Sequence, residues 1–338
     1  FVAYAKTLFE NFGDKVKYWI TLNEQNIFTS LGWLTAQHPP GKFDDQKMFY
    51  QVNHHAFMAH AKTVLAYREM GGTGNIGASF AYTPSYSLDC RPVNAMAKRN
   101  YDDLKNFWWM DIYAYGRYPA AAMAYLKKKG YAPEIQDGDM EILKKAAAQI
   151  TFMGVNYYQS CVCEYNPMDG VTPYGTMNTS GVKGSAQEVG IPGIYKNPAN
   201  PYLMTTDWDW SIDPMGLQFC CREITSRYGL PVVISENGLG AFDKKTEDGR
   251  IHDDYRIKYL EEHIKALALA VEEGCRVLAY CTWSFTDLLS WLNGYQKRYG
   301  FVYVDREEEE GGSLERIKKD SYYWYQNVIK TNGKSILE

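Results

Sequence analysis

Several things are missing from this 338-residue sequence, and each absence removes a class of function. No run of about 20 apolar residues occurs, so no stretch reads as a membrane-crossing helix. The net charge of −4 is small and spread along the chain, which leaves no basic face for nucleic acid or an anionic membrane. Cysteines number seven, at positions 90, 161, 163, 220, 221, 275 and 281, an odd count whose spacing fits neither a disulfide framework nor a zinc site. Most lie in apolar runs and read as buried thiols, which suits a reducing cytoplasm. His54, His55 and His60 share one helical stretch, but the step from 55 to 60 is not one helical turn and no acid accompanies it. They read as packed or solvated helix residues, and no metal or cofactor is expected. No internal repeat or low-complexity segment occurs, and no leader pattern is seen, which carries little weight in a chain that starts at Phe1.

The residues that are abundant are aromatic: 28 Tyr and 9 Trp, side chains that stack on sugar rings but also fill cores. Pro231-Val232-Val233-Ile234-Ser235-Glu236-Asn237-Gly238 contains three β-branched residues in a row, the pattern of a strand covered on both faces. It ends abruptly in a carboxylate, which is costly to desolvate without a purpose or a partner. Tyr18-Trp19-Ile20-Thr21-Leu22-Asn23-Glu24 repeats the arrangement. Two apolar strands that each end in Glu beside Asn supply what glycosidic cleavage needs: one acid to protonate the leaving oxygen and one carboxylate to attack the anomeric carbon.

Between these strands the pattern alternates. A helix over 1–12 precedes the first strand, 18–23. Residues 25–46, rich in Gly and Pro, read as a loop walling the site. A helix over 47–70, capped by Asp44 or Asp45, leads to a strand at 76–82. Helices follow at 91–109, 111–115, 119–129 and after Asp139, then a strand at 152–158 ending in Asn156-Tyr157-Tyr158. Residues 159–207 read as a long substrate-side excursion with a short strand near 161–165. A helix to about Tyr228, the Glu236 strand, a helix over 253–273, a strand at 277–283, a small hairpin arm at 299–304 and a closing helix at 321–330 complete the chain. Glu307 to Glu310 read as a solvated acidic turn. Strand and helix alternate five times, the signature of a parallel α/β fold.

Thr21-Leu22-Asn23-Glu24 and Ile234-Ser235-Glu236-Asn237-Gly238 resemble the two signature motifs of glycoside hydrolase family 1, the β-glucosidase and 6-phospho-β-glycosidase family, in the same order. The resemblance extends over essentially the whole chain and implies a (β/α)8 TIM barrel. Because a helix immediately before the Thr-Leu-Asn-Glu strand resembles the third of that barrel, residues 1–338 are expected to represent one incomplete barrel domain, roughly its last five strands. An open five-strand piece would expose apolar surface and unpaired strand edges, so activity and solubility of this piece alone are not expected.

The resemblance also implies roles. Glu24 matches the general acid/base and Glu236 the nucleophile of a retaining enzyme, whose carboxyl groups stand roughly 5–5.5 Å apart. Asn23 matches the residue that binds the sugar 2-hydroxyl, Tyr158 the donor to the nucleophile, Trp283 the platform beneath the sugar, and Trp210 an aromatic wall on the aglycone side. Asn156 lines the same site or is a satisfied core amide. Ser290 is the informative departure: β-glucosidases acting on unphosphorylated sugars carry Glu at this point, which would repel a phosphate dianion. Ser290, Lys297 and Tyr299 match the phosphate-binding trio of the 6-phospho-β-glycosidases, supplying one cation and two hydroxyls. The bland alternative makes Lys297-Arg298 an exposed turn. Trp291 resembles the Trp that reads the 4-hydroxyl in the 6-phospho-β-galactosidase branch, where many 6-phospho-β-glucosidases have a smaller residue; β-glucosidases for unphosphorylated sugars carry it too, so it does not separate gluco from galacto substrates.

The expected function is therefore cytoplasmic hydrolysis of 6-phospho-β-D-glucosides by a two-Glu double displacement. The partners are a small phosphorylated carbohydrate and, by resemblance only, an upstream phosphotransferase system. Nucleic acid and membrane partners are not expected, and a homo-oligomer is left open. The rivals are a β-glucosidase for unphosphorylated sugars and a truncated, inactive barrel that only binds carbohydrate. A metal-dependent barrel hydrolase is disfavoured, because no His cluster stands at a strand end.

Overall fold

The computed structural model describes residues 1–168, 170–171, 177–308 and 311–337. Parts of the 159–207 excursion and of the acidic turn at Glu307 to Glu310 thus lie outside the described residues. In chain order the elements begin with α1 (Val2–Phe12), β1 (Tyr18–Asn23), α2 (Gln25–Trp33), α3 (Gln46–Glu69), β2 (Asn75–Ala81), β3 (Ser85–Ser87) and α4 (Pro92–Tyr101). A π-helical turn over Asp102–Asn106 joins α4 to α5 (Phe107–Tyr115), followed by α6 (Ala120–Lys129), α7 (Asp139–Ala147) and β4 (Met153–Tyr157). The short strands β5 (Cys161–Cys163), β6 (Val189–Ile191) and β7 (Tyr195–Asn197) lie in the excursion. Then come α8 (Pro214–Tyr228), β8 (Val232–Asn237), α9 (Asp254–Glu272), β9 (Val277–Thr282), β10 (Val302–Val304), β11 (Arg316–Lys318), α10 (Asp320–Lys330) and α11 (Lys334–Leu337).

Five strands form one parallel sheet in the order β1-β2-β4-β8-β9, so successive βα units lie side by side. Helices cover its outer face. Trp19 of β1 meets Phe9 of α1 edge-on at 4.9 Å and Tyr67 of α3 at 6.4 Å. The core is aromatic: Phe57, Phe80, Trp108, Trp109 and Tyr157 are essentially inaccessible. Truncating any such ring to Ala would cost about 3–5 kcal/mol.

Three local readings change. Residues 25–33 form a helix, not a loop, and the sequence hid it because most of its buried face is polar rather than an apolar stripe. Gln25 Nε2 donates to Asn53 Oδ1 at 2.9 Å, Tyr113 OH donates to Gln25 Oε1 at 2.8 Å, and Asn26 Nδ2 donates to the Ala81 carbonyl at 2.9 Å. The helix expected to end at Trp109 instead runs on to Tyr115, where Gly116 takes the left-handed conformation at φ 64 that closes it. The arm after Tyr299 pairs antiparallel with Arg316–Lys318, a strand hidden by its alternating charges. His54 and His60 are both buried, His54 hydrogen-bonded to Tyr118 and Asp139 and His60 to Thr21.

Among the described residues the outer strands β1 and β9 each have one neighbour in the main sheet. Tyr18 and Ile20 of β1 and Leu278 of β9 are 50%, 42% and 39% exposed. An unpaired strand with exposed apolar side chains templates further pairing. Expressed by itself, this chain is expected to self-associate through these edges. Lys in place of both Ile20 and Leu278 should lower the light-scattering mass toward the monomer, and an unchanged mass would locate the contact elsewhere.

Candidate active site

The carboxyl ends of the strands carry a polar cluster. Register slips occur after Ile20 in β1, between Val155 and Asn156 in β4, and after Ile234 in β8. Strict alternation would send neighbouring side chains to opposite faces, and a slip re-aims them. Ser235 and Glu236, adjacent in sequence, therefore both reach the site, as Asn23 and Glu24 do. Glu24 has φ 49, the left-handed region, at the N-terminus of α2. A side chain there costs of order 1 kcal/mol, and such strain gathers at functional sites.

The Asn156 amide joins the two glutamates. Its Nδ2 donates to Glu24 Oε1 at 2.9 Å and to Asn23 Oδ1 at 3.1 Å. Asn23 Nδ2 in turn donates to Glu236 Oε1 at 3.3 Å, and Tyr158 OH donates to Glu236 Oε2 at 2.6 Å. Asn156 Oδ1 accepts from Ser79 Oγ at 2.9 Å and Ser235 Oγ at 2.7 Å, which fixes the orientation of the amide.

The two carboxyl groups differ in acidity. Burial first, then the charge of Glu236, raises Glu24 to about 7 against the lowering effect of Asn156. Burial also raises Glu236, but hydrogen bonds from Tyr158, Asn23 and Asn156 oppose it. Glu236 thus ionises first, and its charge helps keep the proton on Glu24.

A second cluster adjoins the first through aromatic rings. Tyr158 meets Trp210 at 5.5 Å and Tyr299 at 6.3 Å, and Tyr299 shares a hydrogen bond with the Ser290 side chain. Lys297 is 1% exposed and Arg298 8%, which excludes the exposed-turn reading. The Lys297 ammonium lies 3.5 Å from the centroid of Trp210 and 4.9 Å from that of Trp208, and its Nζ has no hydrogen-bond partner among the described residues. Burial lowers its pKa from the usual 10.5 to about 7. Trp210, expected at the aglycone side, is thus a neighbour of this cation, and Trp208, read as plain packing, underlies it too.

Sequence reasoning missed Ser79, which bears on the site only through partners distant in sequence, and Gly240. A Cβ at Gly240 would stand 2.5 Å from Lys297 Cε and 2.8 Å from Tyr299 Cζ; at Gly238 it would stand 1.9 Å from the Trp283 carbonyl oxygen. These glycines let Lys297 and Trp283 approach the Glu236 strand, and the Trp283 amide donates to the Asn237 carbonyl at 2.8 Å. Trp291 stands apart from both clusters, 77% exposed, its ring 5.8 Å from that of His38.

A pair of carboxyl groups of unequal acidity at the carboxyl ends of a parallel α/β sheet is the arrangement that glycoside-cleaving barrels use. The comparisons name the family. The family model for Glycosyl hydrolase family 1 matches residues 1–334, and the chain belongs to that family. It is 54% identical over 333 residues to the aryl-phospho-beta-D-glucosidase BglC of Bacillus subtilis, covering 98% of this chain and 69% of that one. It is 35% identical over 342 residues to the 6-phospho-beta-glucosidase AscB of Escherichia coli, covering 99% of this chain and 67% of the relative. The family 1 β-glucosidase of Thermotoga maritima superposes with a TM-score of 0.83 at 31% identity, over 98% of this chain and 67% of that structure. The chain thus spans about two thirds of the length of these relatives. No helix among the described residues is long and apolar enough to cross a membrane.

The raised pKa of Glu24 has a stability consequence. The folded state binds its proton more tightly than the unfolded chain, so this contribution is intact below the ordinary value of 4.5 and is lost as pH rises through about 7. Glu24→Gln should leave thermal stability unchanged near pH 4 and raise it at pH 8, by up to about 3 kcal/mol. Melting curves at both pH values check this, and an equal effect at both would refute the coupling.

Proposed function

We propose that this chain, as a single incomplete barrel domain over residues 1–338, carries the machinery of a retaining 6-phospho-β-glucosidase acting in the cytoplasm on aryl or sugar 6-phospho-β-glucosides. The observation that carries the phosphate reading is Lys297, a buried cation with no hydrogen-bond partner among the described residues. An unpaired buried ammonium is costly and calls for an anionic ligand. Ser290 and Tyr299 bring two hydroxyls to the same place, and Ser leaves no carboxylate there to repel a phosphate. The names of the Bacillus subtilis and Escherichia coli relatives carry the same substrate class.

In this reading Glu24, protonated near neutrality, gives its proton to the glycosidic oxygen while Glu236 attacks the anomeric carbon. The bond to the aglycone breaks and a covalent glycosyl–Glu236 ester forms. Glu24, now ionised, takes a proton from water, whose oxygen displaces Glu236 from the same carbon. Two displacements restore the β configuration. Tyr158 orients Glu236 and holds its charge. Asn23 binds the 2-hydroxyl, where a hydrogen bond strengthens as positive charge develops. Asn156 keeps the two glutamates in register. Trp283 lies beneath the sugar and Trp291 at the rim.

The test is kcat/KM on nitrophenyl β-D-glucoside and on its 6-phosphate, together with the affinities for glucose and glucose 6-phosphate. A preference for the phosphate of at least a hundredfold is expected, with Ser290→Glu removing most of it and Glu236→Ala abolishing turnover. Preference for the plain glucoside would make this a β-glucosidase for unphosphorylated sugars, the activity named for the Thermotoga maritima structure. Phosphate-selective binding without turnover would leave a carbohydrate-binding barrel.

Lys297 gives the binding a pH signature. Its ammonium loses a proton near pH 7 in the free protein, while a phosphate monoester becomes a dianion above about pH 6. Affinity for glucose 6-phosphate should peak between these values and fall as pH rises further, by up to tenfold per unit. Lys297→Met should remove the alkaline limb, and glucose binding should stay flat. A phosphate affinity still rising at pH 8.5 would show that the cation is not the ligand.

A further inference from the structure

Beneath the Lys297–Tyr299 segment lies a buried ionic cluster that the chemistry itself does not use. It holds three carboxylates, Asp243, Asp253 and Asp287, and three cations, Arg256, Arg298 and Lys319. Arg256 is its centre. Nη1 donates to Asp253 Oδ2 at 2.5 Å, and Nη2 donates to Asp243 Oδ1 at 3.0 Å and to the Arg298 carbonyl at 3.0 Å. Lys319 bridges Asp243 and Asp287, the latter at 2.7 Å. Asp287 accepts from the Gly300 amide at 2.9 Å and from Arg298 Nη1 at 3.3 Å. Arg298 and Ala241 exchange backbone hydrogen bonds of 3.0 Å in both directions.

Three of these contacts end on the chain flanking Lys297: Arg256 holds the Arg298 carbonyl, and Asp287 holds the Arg298 side chain and the Gly300 amide. The Lys297 side chain itself is outside the cluster. Its ammonium rests on Trp210, and Gly240 leaves just enough room for its stem. The charges balance three against three, so the cluster puts little net field on the site; what it supplies is position. A ligand group is effective only when the shell behind it locks its geometry.

We propose that the Asp243–Arg256–Asp287–Lys319 cluster is a positioning device for phosphate selectivity, holding the Arg298 backbone so that Lys297 and Tyr299 are preset for the 6-phosphate of the substrate. The proposal rests on the phosphate reading above. Arg256 is its key positioning residue, because a guanidinium alone has the fork to hold two carboxylates and a carbonyl together. Arg256→Lys keeps the charge count but cannot span all three.

The experiment measures affinities for glucose 6-phosphate and glucose by calorimetry in the wild type, Arg256→Lys, Tyr255→Phe and Lys297→Met. Arg256→Lys is expected to weaken glucose 6-phosphate at least tenfold while glucose stays within twofold. Tyr255→Phe removes only a phenol that donates to Asp243 at 2.5 Å. It should act in the same direction, at least threefold, and decides the matter if Arg256→Lys does not fold. Equal losses for both sugars, or no loss for either, would overturn the positioning role. A wild type without preference for glucose 6-phosphate would instead overturn the phosphate reading. A preference abolished by Lys297→Met but untouched by Arg256→Lys and Tyr255→Phe would leave the site standing and remove only the cluster's part in it.

Discussion

One side-chain amide governs the geometry at the mouth of this sheet. Asn156 sits on the central strand β4, opposite Glu236 of β8, with its oxygen taken up by Ser79 and Ser235. Its nitrogen then faces acceptors, Glu24 and the side-chain amide oxygen of Asn23, with Glu236 also within its reach. Its partners come from three other strands, Asn23 and Glu24 from the end of β1, Ser79 from β2 and Ser235 from β8, so the amide reports and enforces the register of β1, β2, β4 and β8 together. A buried polar network of this kind is strong only while every member is satisfied. Here three strand slips, each at the carboxyl end, make satisfaction possible.

The charges at the site are arranged by unequal solvation. Glu24 and Glu236 are both pushed toward the neutral form by burial, but the hydrogen bonds are distributed in favour of Glu236. The same principle acts on Lys297, where burial without a partner weakens the ammonium. Three ionisable groups thus stand close to neutrality in acidity or are coupled to one that does. On the proposed reading each is completed by a different part of one substrate: the leaving oxygen, the anomeric carbon and the phosphate. The six-membered ionic cluster behind Lys297 shows the opposite design, in which every charge is matched inside the protein.

The five-stranded sheet explains both how much of the site is present and where it is open. Glu24, Asn156, Glu236 and Trp283 come from the ends of β1, β4, β8 and β9, and the Ser290–Tyr299 segment follows β9 directly. These elements match family 1 structures over about two thirds of their length. The half-exposed apolar residues on β1 and β9 lie where a closed barrel would have further strands.

Much of this was legible in order along the chain. Apolar runs ending in Asn23-Glu24 and Ser235-Glu236 marked two strand ends, and the Ser290 to Tyr299 segment marked a site without a competing carboxylate. Local chemistry sufficed there, because strand propensity and a costly terminal charge are properties of a few adjacent residues. Helix α2 was not legible: its buried face carries Gln25, Asn26 and Thr29 beside Leu31, the polar groups satisfied largely by Asn53 and Ala81, and periodicity registers only apolar burial. The roles of Ser79, Gly240 and Arg256 were invisible for a related reason. Each acts on residues roughly 60 to 80 positions away for the first two and some 40 for the third, so nothing in its neighbourhood announces it. The sequence by itself determined which groups could do chemistry. Only the tertiary structure decided which of them share a proton, which cation lacks a partner and which glycine makes room, because acidity and steric fit are set by neighbours in space.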